Sequence, residues 1–396
     1  MIRAVFLDLD DTLLHYPQGA MKFVGQYLAM LAENFPELPN LAQQVVGNVR
    51  HMMEDISPVR QNQSFYGDLF SGKLSQETLQ AFYRTQYPTL QSLTKPDPVA
   101  SQLIDYLIKK GYMVVIATNP IYPQVATQAR LRWAGIDPQV VDLARLTHAE
   151  NSHFTKPHPQ YYEEICAHLD IEPYEVVMVG DNWEHDIVAG ASAGMRTFWI
   201  ENDVHPKPSH VNNLADGQGR LQDFYQCVTE QDWLKALTPK PIEASHIVPR
   251  LMGNMGALWG TLEPIEDRFW HQRPYQDEWT PLEVVLHLYE HEYEVQRPRL
   301  ERIVEHDNPF LKPENEPFQP CDRDVSDQIG WDVARAFVAE REKTVAFLLS
   351  LPAEVWQRPA RHSIYGPTTF LEMASLTSRH DHLHIRQLCQ TIGQCE

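Results

Sequence analysis

Four short apolar runs limit what the first half of this chain can fold into: residues 4–7, 113–117, 176–179 and 197–200. Each is rich in Val, Ile, Phe or Met and stops at a polar or glycine-containing turn. Continuous apolar runs of this length read as strands buried on both faces. Helical stretches at 100–110 and 159–168 separate them. Strands alternating with helices predict an α/β fold with a parallel sheet covered by helices. The gap 16–98 is too long for one crossover. It carries helix-like periodicity, as in Phe23-Tyr27-Met30-Leu31 and Leu79-Phe82-Tyr83, and reads as a helical insert able to close over the strand ends.

The character changes after Asn202. His205-Pro206-Lys207-Pro208 and Gly217-Gln218-Gly219 mark loops, 221–237 reads as a last helix or two, and Thr238-Pro239-Lys240-Pro241 reads as a linker. Beyond it no strand alternation is evident. Four long amphipathic stretches follow instead, at 242–271, 281–305, 331–350 and 370–391, divided by Pro- and Asn-rich segments such as 307–320. Four helices of that length favour a bundle. A chain of 396 residues is long for one core, so two domains are expected, 1–237 (with the insert at about 16–98) and 242–396.

The net charge of −20 argues against a nucleic-acid partner. No window holds 18 apolar residues in a row, which argues against a membrane partner, and the acids at 8–11 interrupt any signal-like start. Five scattered cysteines offer no disulfide framework and no cysteine zinc spacing. A cytoplasmic location in a reducing compartment is the expectation.

The chemistry concentrates at the strand ends, where ligands of open parallel sheets bind. Asp8-Leu9-Asp10-Asp11-Thr12 follows the first apolar run, so two carboxylates two residues apart leave the strand end in the same direction. One can attack an electrophile while the other handles a proton. Thr118-Asn119 ends a second run, and Gly180-Asp181 ends a third, with Asp186 five residues on. Lys156 precedes a helix and brings a positive charge. Such a set suits a hard divalent cation and a phosphoryl group. Singly, each Asp could equally cap a turn or a helix.

Taken in order, Asp8-x-Asp10-x-Thr12, Thr118, Lys156 and Gly180-Asp181-x-x-x-x-Asp186 resemble the four motifs of the haloacid dehalogenase superfamily of phosphatases. The resemblance implies a Rossmann-like sheet with an inserted helical cap. It further implies that Asp8 forms an aspartyl-phosphate and that Asp10 protonates the leaving oxygen, then activates water. Thr118 and the backbone of Asn119 would hold phosphoryl oxygens, and Lys156 would neutralise the nucleophile. Mg²⁺ would be bound by Asp8, the carbonyl of Asp10 and Asp181, with Asp186 supporting. Members that cleave carbon–halogen bonds lack the second acid, because a halide leaves without a proton. Asp10 therefore favours a small phosphorylated metabolite as substrate over a haloalkanoate. Arg60, Phe65 and Tyr66 on the insert are candidates for substrate choice. Asp11 reads as structural.

The second half has a cluster of its own. His380 and His384 lie one helical turn apart, and His287 sits among apolar residues on an earlier helix. Imidazoles from two helices can make an open three-nitrogen site for Zn²⁺, Ni²⁺ or Fe²⁺. His291 is an alternative ligand, and His362 and His382 read as surface residues. Trp279-x-x-x-Glu283-x-x-x-His287 and His380-x-x-x-His384-x-x-Gln387 resemble the DinB-like (YfiT-like) four-helix bundle family, and that resemblance implies His287, His380 and His384 as a metal triad. The rival reading of the whole chain makes this all-α bundle the working part, as a metal-dependent thiol transferase, isomerase or sensor. A carbon–halogen hydrolase is a further alternative.

Overall fold

The computed structural model describes residues 1–70, 74–202, 214–276, 278–312 and 324–395. The chain divides into two compact units, residues 1–162 with 171–241, and residues 163–170 with 242–396. The first holds a six-stranded sheet of order β5-β4-β1-β6-β7-β8, parallel throughout. Its strands are β1 (Ala4–Leu7), β4 (Met113–Ile116), β5 (Arg145–Leu146), β6 (Val176–Gly180), β7 (Arg196–Ile200) and β8 (Gly217–Gly219). A separate antiparallel pair, β2 (Leu14–His15) and β3 (Lys95–Pro96), opens and closes the insert. Every residue of β1 and β6 is buried, as apolar runs with both faces covered require.

The topology fixes where a ligand can bind. From β1 the chain winds outward through β4 to β5, then returns to β6 on the other side of β1. The crevice therefore lies beyond the carboxyl end of β1. Register carries this to individual residues. Leu7 pairs with Ile116 on one side and Val179 on the other. Asp8 thus leaves the sheet level with Ala117 and Gly180, one residue short of Thr118 and Asp181.

The insert is helical, with α1 (Ala20–Asn34), α2 (Leu41–Glu54), α3 (Gln63–Phe70) and α4 (Gln76–Thr85). Helix α1 buries Phe23, Tyr27 and Leu31, spaced four apart along one face. Ser75 caps α4 by accepting from the Thr78 amide at 3.1 Å. Helices α5 (Ala100–Lys109), α6 (Gln124–Trp133), α7 (Pro159–Leu169), α8 (Ala189–Ser192), α9 (Leu221–Glu230) and α10 (Trp233–Ala236) complete the order up to the linker.

Gly217–Gly219 is a strand where its composition marked a loop. Backbone pairing with β7 makes it so. A Cβ at Gly217 would come within 2.6 Å of the Phe198 ring, so glycine lets the edge strand lie flat there. The expected loop at 205–208 lies outside the described residues.

The second unit contains α11 (Ala244–Leu262), α12 (Pro281–His291), α13 (Arg297–Glu305), α14 (Gly330–Leu349) and α15 (Phe370–Cys395). Thr280 and Glu283 form a capping box at the start of α12. A wider π turn at Glu292–Gln296 separates α12 from α13. One feature departs from expectation: a small sheet of β9 (Phe310–Leu311), β10 (Pro359–His362) and β11 (Gly366–Thr369) sits beside the helices. Its hairpin strand β10 alternates exposed and buried over four residues, too short a run to stand out in the sequence.

A charged group lies in the bundle core. Arg341 on α14 is 1% exposed and bonds both oxygens of Asp381, one at 3.0 Å, and Oε2 of Glu292 at 2.9 Å. Thr344 donates to the other Glu292 oxygen, and Asn254 donates to Asp381 at 3.1 Å. His382 is buried here against Asn254 at 2.9 Å, and His362 is buried under the β10–β11 turn, so neither is the surface residue expected. Asn254 and that turn supply the polar partners that let imidazoles be buried.

Candidate active site

Asp8 follows β1 directly, and its amide donates to Val179 O at 2.9 Å, tying the first acid to the neighbouring strand. Asp181 follows β6, held by Trp199 Nε1 on its carbonyl at 2.9 Å. Asn202 and Thr12 donate to its two carboxylate oxygens at 2.9 and 3.3 Å. Asp186 arrives on a π turn at Trp183–Val188, which Asn182 caps through the His185 amide. That turn folds the Asp186 carboxylate back over Gly180, where a Cβ would meet Oδ2 at 2.2 Å. Glycine is required at 180 by this close approach.

Lys156 closes the group. Its Nζ is 2.7 Å from Asp8 Oδ1 and 2.6 Å from Asp186 Oδ1, and the side chain is 2% exposed. Asn119 Oδ1 accepts from the Lys156 amide at 3.2 Å, so the Asn119 side chain holds the lysine loop. The Thr118 carbonyl accepts from Tyr161 and Thr147 at 2.8 and 2.7 Å, which fixes the second strand end. Oxygen atoms of Asp8, Asp181 and Asp186 lie within 4.8 Å of one another, all three residues buried.

Two of the three buried carboxylates, Asp8 and Asp186, share the Lys156 ammonium. Burial pushes the Asp8 carboxyl well up, Lys156 pulls it back, and Asp186, Asp181 and Asp10 push it up again. Burial likewise raises Asp186 against the pull of Lys156. Lys156 is raised because Asp186 and Asp8 outweigh the burial that opposes its charge. Such an uncompensated oxygen cluster fits a hard divalent cation.

The Asp10 carboxylate stands outside this trio. Arg130 Nη1 is 2.5 Å from Oδ2, the Tyr16 hydroxyl donates to Oδ1, and Thr118 Oγ1 is 3.4 Å from Oδ2. The carboxylates of Asp8, Asp181 and Asp186 therefore group apart from that of Asp10, which faces the threonine side and leaves its main chain for the expected cation contact. Sequence reading missed both Arg130 and Tyr16. In Arg130-Leu131-Arg132-Trp133 nothing marks one arginine as buried.

Asp11 has φ of +54° and accepts from the Tyr16 amide at 3.2 Å, turning the chain away from the strand. Burial, with Asp181 and Asp10 nearby, raises its carboxyl to about 6. A carboxyl raised on folding stabilises the fold below its unfolded pKa and loses that contribution as pH rises through the folded value. Asp11→Asn keeps the acceptor and tolerates positive φ. In metal-free buffer the variant is expected to gain on the order of 1 kcal/mol at pH 8 relative to pH 4, after allowance for solvent screening. Thermal melts of both proteins across that range check this.

On the insert, Arg60 stacks over the Phe65 ring at 3.8 Å, Phe65 is buried, and the Tyr66 hydroxyl donates to the Ile121 carbonyl. Packing within the unit occupies the two aromatic residues.

In the second unit His287 on α12 meets His380 and His384 on α15. Their ligand atoms lie within 4.8 Å, and His287 Nε2 is 3.1 Å from His380 Nε2. His384 Nδ1 is 2.8 Å from Gln387 Oε1, which directs its Nδ1–H there and leaves Nε2 free to ligate. His291 stacks on His380 with centroids 4.1 Å apart. Burial, then the neighbouring imidazoles, lowers His380 far below the ordinary histidine value. Burial lowers His384 as well.

Residues 2–194 match the model of the haloacid dehalogenase-like hydrolase family. The N-terminal half of this chain is a haloacid dehalogenase-like hydrolase domain. Residues 253–388 match the DinB superfamily model, and the C-terminal half is a bundle of that kind. The hydrolase domain has curated relatives. Over 203 residues it is 27% identical to pyrophosphatase PpaX of Anoxybacillus flavithermus, covering 50% of this chain and 83% of that protein. Over 91 residues it is 33% identical to pyrophosphatase PpaX of Bacillus pumilus, covering 23% and 39%. A solved haloacid dehalogenase phosphatase from Thermococcus onnurineus is similar at 21% identity and a TM-score of 0.39, over 58% of this chain and 98% of that one. Among the described residues, no helix is long and apolar enough to cross a membrane.

Proposed function

We propose that the hydrolase domain is a Mg²⁺-dependent phosphatase of small phosphorylated metabolites that works through an aspartyl-phosphate on Asp8. The observation that carries this reading is the Lys156 ammonium bridging Asp8 and Asp186 beside Asp181. A carboxylate repels an anionic phosphoryl group, so attack needs concentrated positive charge at the nucleophile. Lys156 supplies one charge, and it leaves Asp8 Oδ2 without an ammonium partner. Asp8, Asp181 and Asp186 would hold the cation, with the main chain of Asp10 alongside. Bound there, Mg²⁺ supplies neutralisation of the phosphoryl oxygens.

In this reading Asp8 displaces the leaving oxygen from phosphorus while Asp10 delivers it a proton. Asp10 then takes a proton from the water that cleaves the acyl phosphate. Thr118 Oγ1 and the Asn119 amide orient the transferred group. The insert excludes water during transfer. The relatives' activity makes inorganic pyrophosphate the first compound to try, followed by small sugar phosphates and phosphoglycolate. Phosphate release with Mg²⁺ that stops in EDTA is the expected result. Release unaffected by EDTA would reject the cation, and no release from any of these would reject the substrate class.

Binding to the folded state alone adds about 2.7 kcal/mol at a hundredfold excess over the dissociation constant. Mg²⁺ is therefore expected to raise the melting temperature of the hydrolase domain in the full chain. Asp181→Asn is expected to remove that rise, and calorimetry with and without Mg²⁺ measures it.

We further propose that His287, His380 and His384 hold a divalent cation of the Zn²⁺, Ni²⁺ or Fe²⁺ class. Three ring nitrogens brought within reach of one ion, the lowered proton affinity of His380 and His384, and a hydrogen-bonded second nitrogen on His384 support this. His380→Ala is expected to lower the metal content by one equivalent in elemental analysis. An unchanged content would count against the site. We propose the cytoplasm as the compartment, which fits described cysteines that form no disulfide with one another, Cys166, Cys227, Cys389 and Cys395.

A further inference from the structure

Arg130 is buried where an arginine needs a reason. It lies on α6, 1% exposed, with its guanidinium 4.3 Å from the Tyr122 ring centroid. Nη1 pairs with Asp10, whereas Nε and Nη2 are buried and have no hydrogen-bond partner. Leaving donors of a buried charge unmatched is destabilising. A helix on the outside of a sheet offers an arginine ample solvent elsewhere, so packing alone does not account for it. Burial opposes its charge, but Asp10, Tyr87, Tyr16 and Tyr122 outweigh it and hold the guanidinium protonated.

The exposure of the pair is lopsided. Asp10 is 36% exposed at its side chain while Arg130 is sealed. Arg130 and Tyr16 thus grip the carboxylate from the protein side and leave its other side open beside Thr118. An unrestrained half-exposed aspartate samples several rotamers. A misplacement of about 1 Å can cost about 10²-fold in rate.

We propose that Arg130 is a positioning residue that, with Tyr16, fixes the carboxyl of Asp10 for proton delivery to the leaving oxygen. This rests on the phosphatase reading above. Arg130 itself exchanges no proton and touches no substrate. The proton passes from Asp10 to the leaving oxygen as that oxygen's bond to phosphorus breaks and the Asp8–phosphorus bond forms. Water restores the proton to Asp10 in the second step.

The test uses the full chain and three aryl phosphates: 4-nitrophenyl, phenyl and 4-methoxyphenyl. The first leaves readily without a proton, and the others progressively need one. Wild type is expected to show a shallow fall of kcat/KM along the series, and Asp10→Asn a steep one. Arg130→Met is expected to match Asp10→Asn, with a loss at least about tenfold larger for the methoxyphenyl ester than for the nitrophenyl ester, because general acid catalysis is worth about 10²–10⁴. Arg130→Lys, which keeps a charge near Asp10, is expected to recover part of the shallow slope. A general structural fault would lower all three esters equally, and that result, or an unchanged slope, overturns the proposal. Should Arg130→Met lack a cooperative melt, Tyr16→Phe and Arg130→Lys decide by the same slopes. A shallow slope in Asp10→Asn would overturn the acid role of Asp10 and this proposal with it. A steep Asp10→Asn with a shallow Arg130→Met overturns the proposal alone.

Discussion

Asp8→Asn is expected to lower phosphate release at least about 10³-fold, because in the proposed mechanism it removes the group that forms the covalent intermediate and leaves only binding and electrostatic effects. The same change is expected to stabilise the metal-free protein. The Asp8 carboxyl binds its proton more tightly folded than unfolded, since burial and three neighbouring acids outweigh Lys156. Its contribution to stability is therefore present at low pH and is lost as pH rises toward the folded pKa. Asparagine has no charge to bury, and its amide oxygen can still accept from Lys156. Malachite-green detection of phosphate and a thermal melt at pH 8 in EDTA measure the two halves of this result. Lost activity with a higher melting temperature separates a missing nucleophile from a damaged fold. Turnover surviving near the wild-type rate would remove Asp8 from the mechanism.

Arg341→Met is expected to destabilise the bundle by about 3–5 kcal/mol, the usual consequence of stripping the partner from a buried charge. It leaves Asp381 and Glu292, both nearly inaccessible, facing each other without a cation. Urea unfolding of the full chain, followed by far-ultraviolet circular dichroism, reports the loss as an earlier transition. The triple change Arg341→Met, Glu292→Gln and Asp381→Asn is expected to recover most of it, because buried charges removed together leave none uncompensated. Equal destabilisation by the single and triple variants would assign the cost to lost packing instead.

Strand ends were the legible part of this chain. Short apolar runs ending in Asp or Thr need no tertiary information, since strand polarity and register alone carry 8, 118 and 181 to one edge. Helical stretches after residue 241 were equally plain, because amphipathic periodicity survives over twenty residues. The illegible residues depend on partners distant in sequence. Arg130 finds its carboxylate partner in Asp10, 120 residues away. His382 looks like any polar helix position until Asn254 meets it across the bundle. Gly217–Gly219 becomes a strand through backbone pairing, which composition does not encode. The same limit explains Asp10: spacing places its Cα beside Asp8, whereas side-chain partners decide that its carboxylate turns away from the cation trio.

The β2–β3 ribbon has a consequence for how such a molecule can diversify. Leu14 pairs with Pro96 and His15 with Lys95, and His15 and Asp97 meet at 2.9 Å, so the polypeptide departs and comes home through a single doorway. Anything spliced between those two threads leaves the registration of the parallel strands intact. The insert can therefore change in length or sequence without disturbing the sheet beneath it.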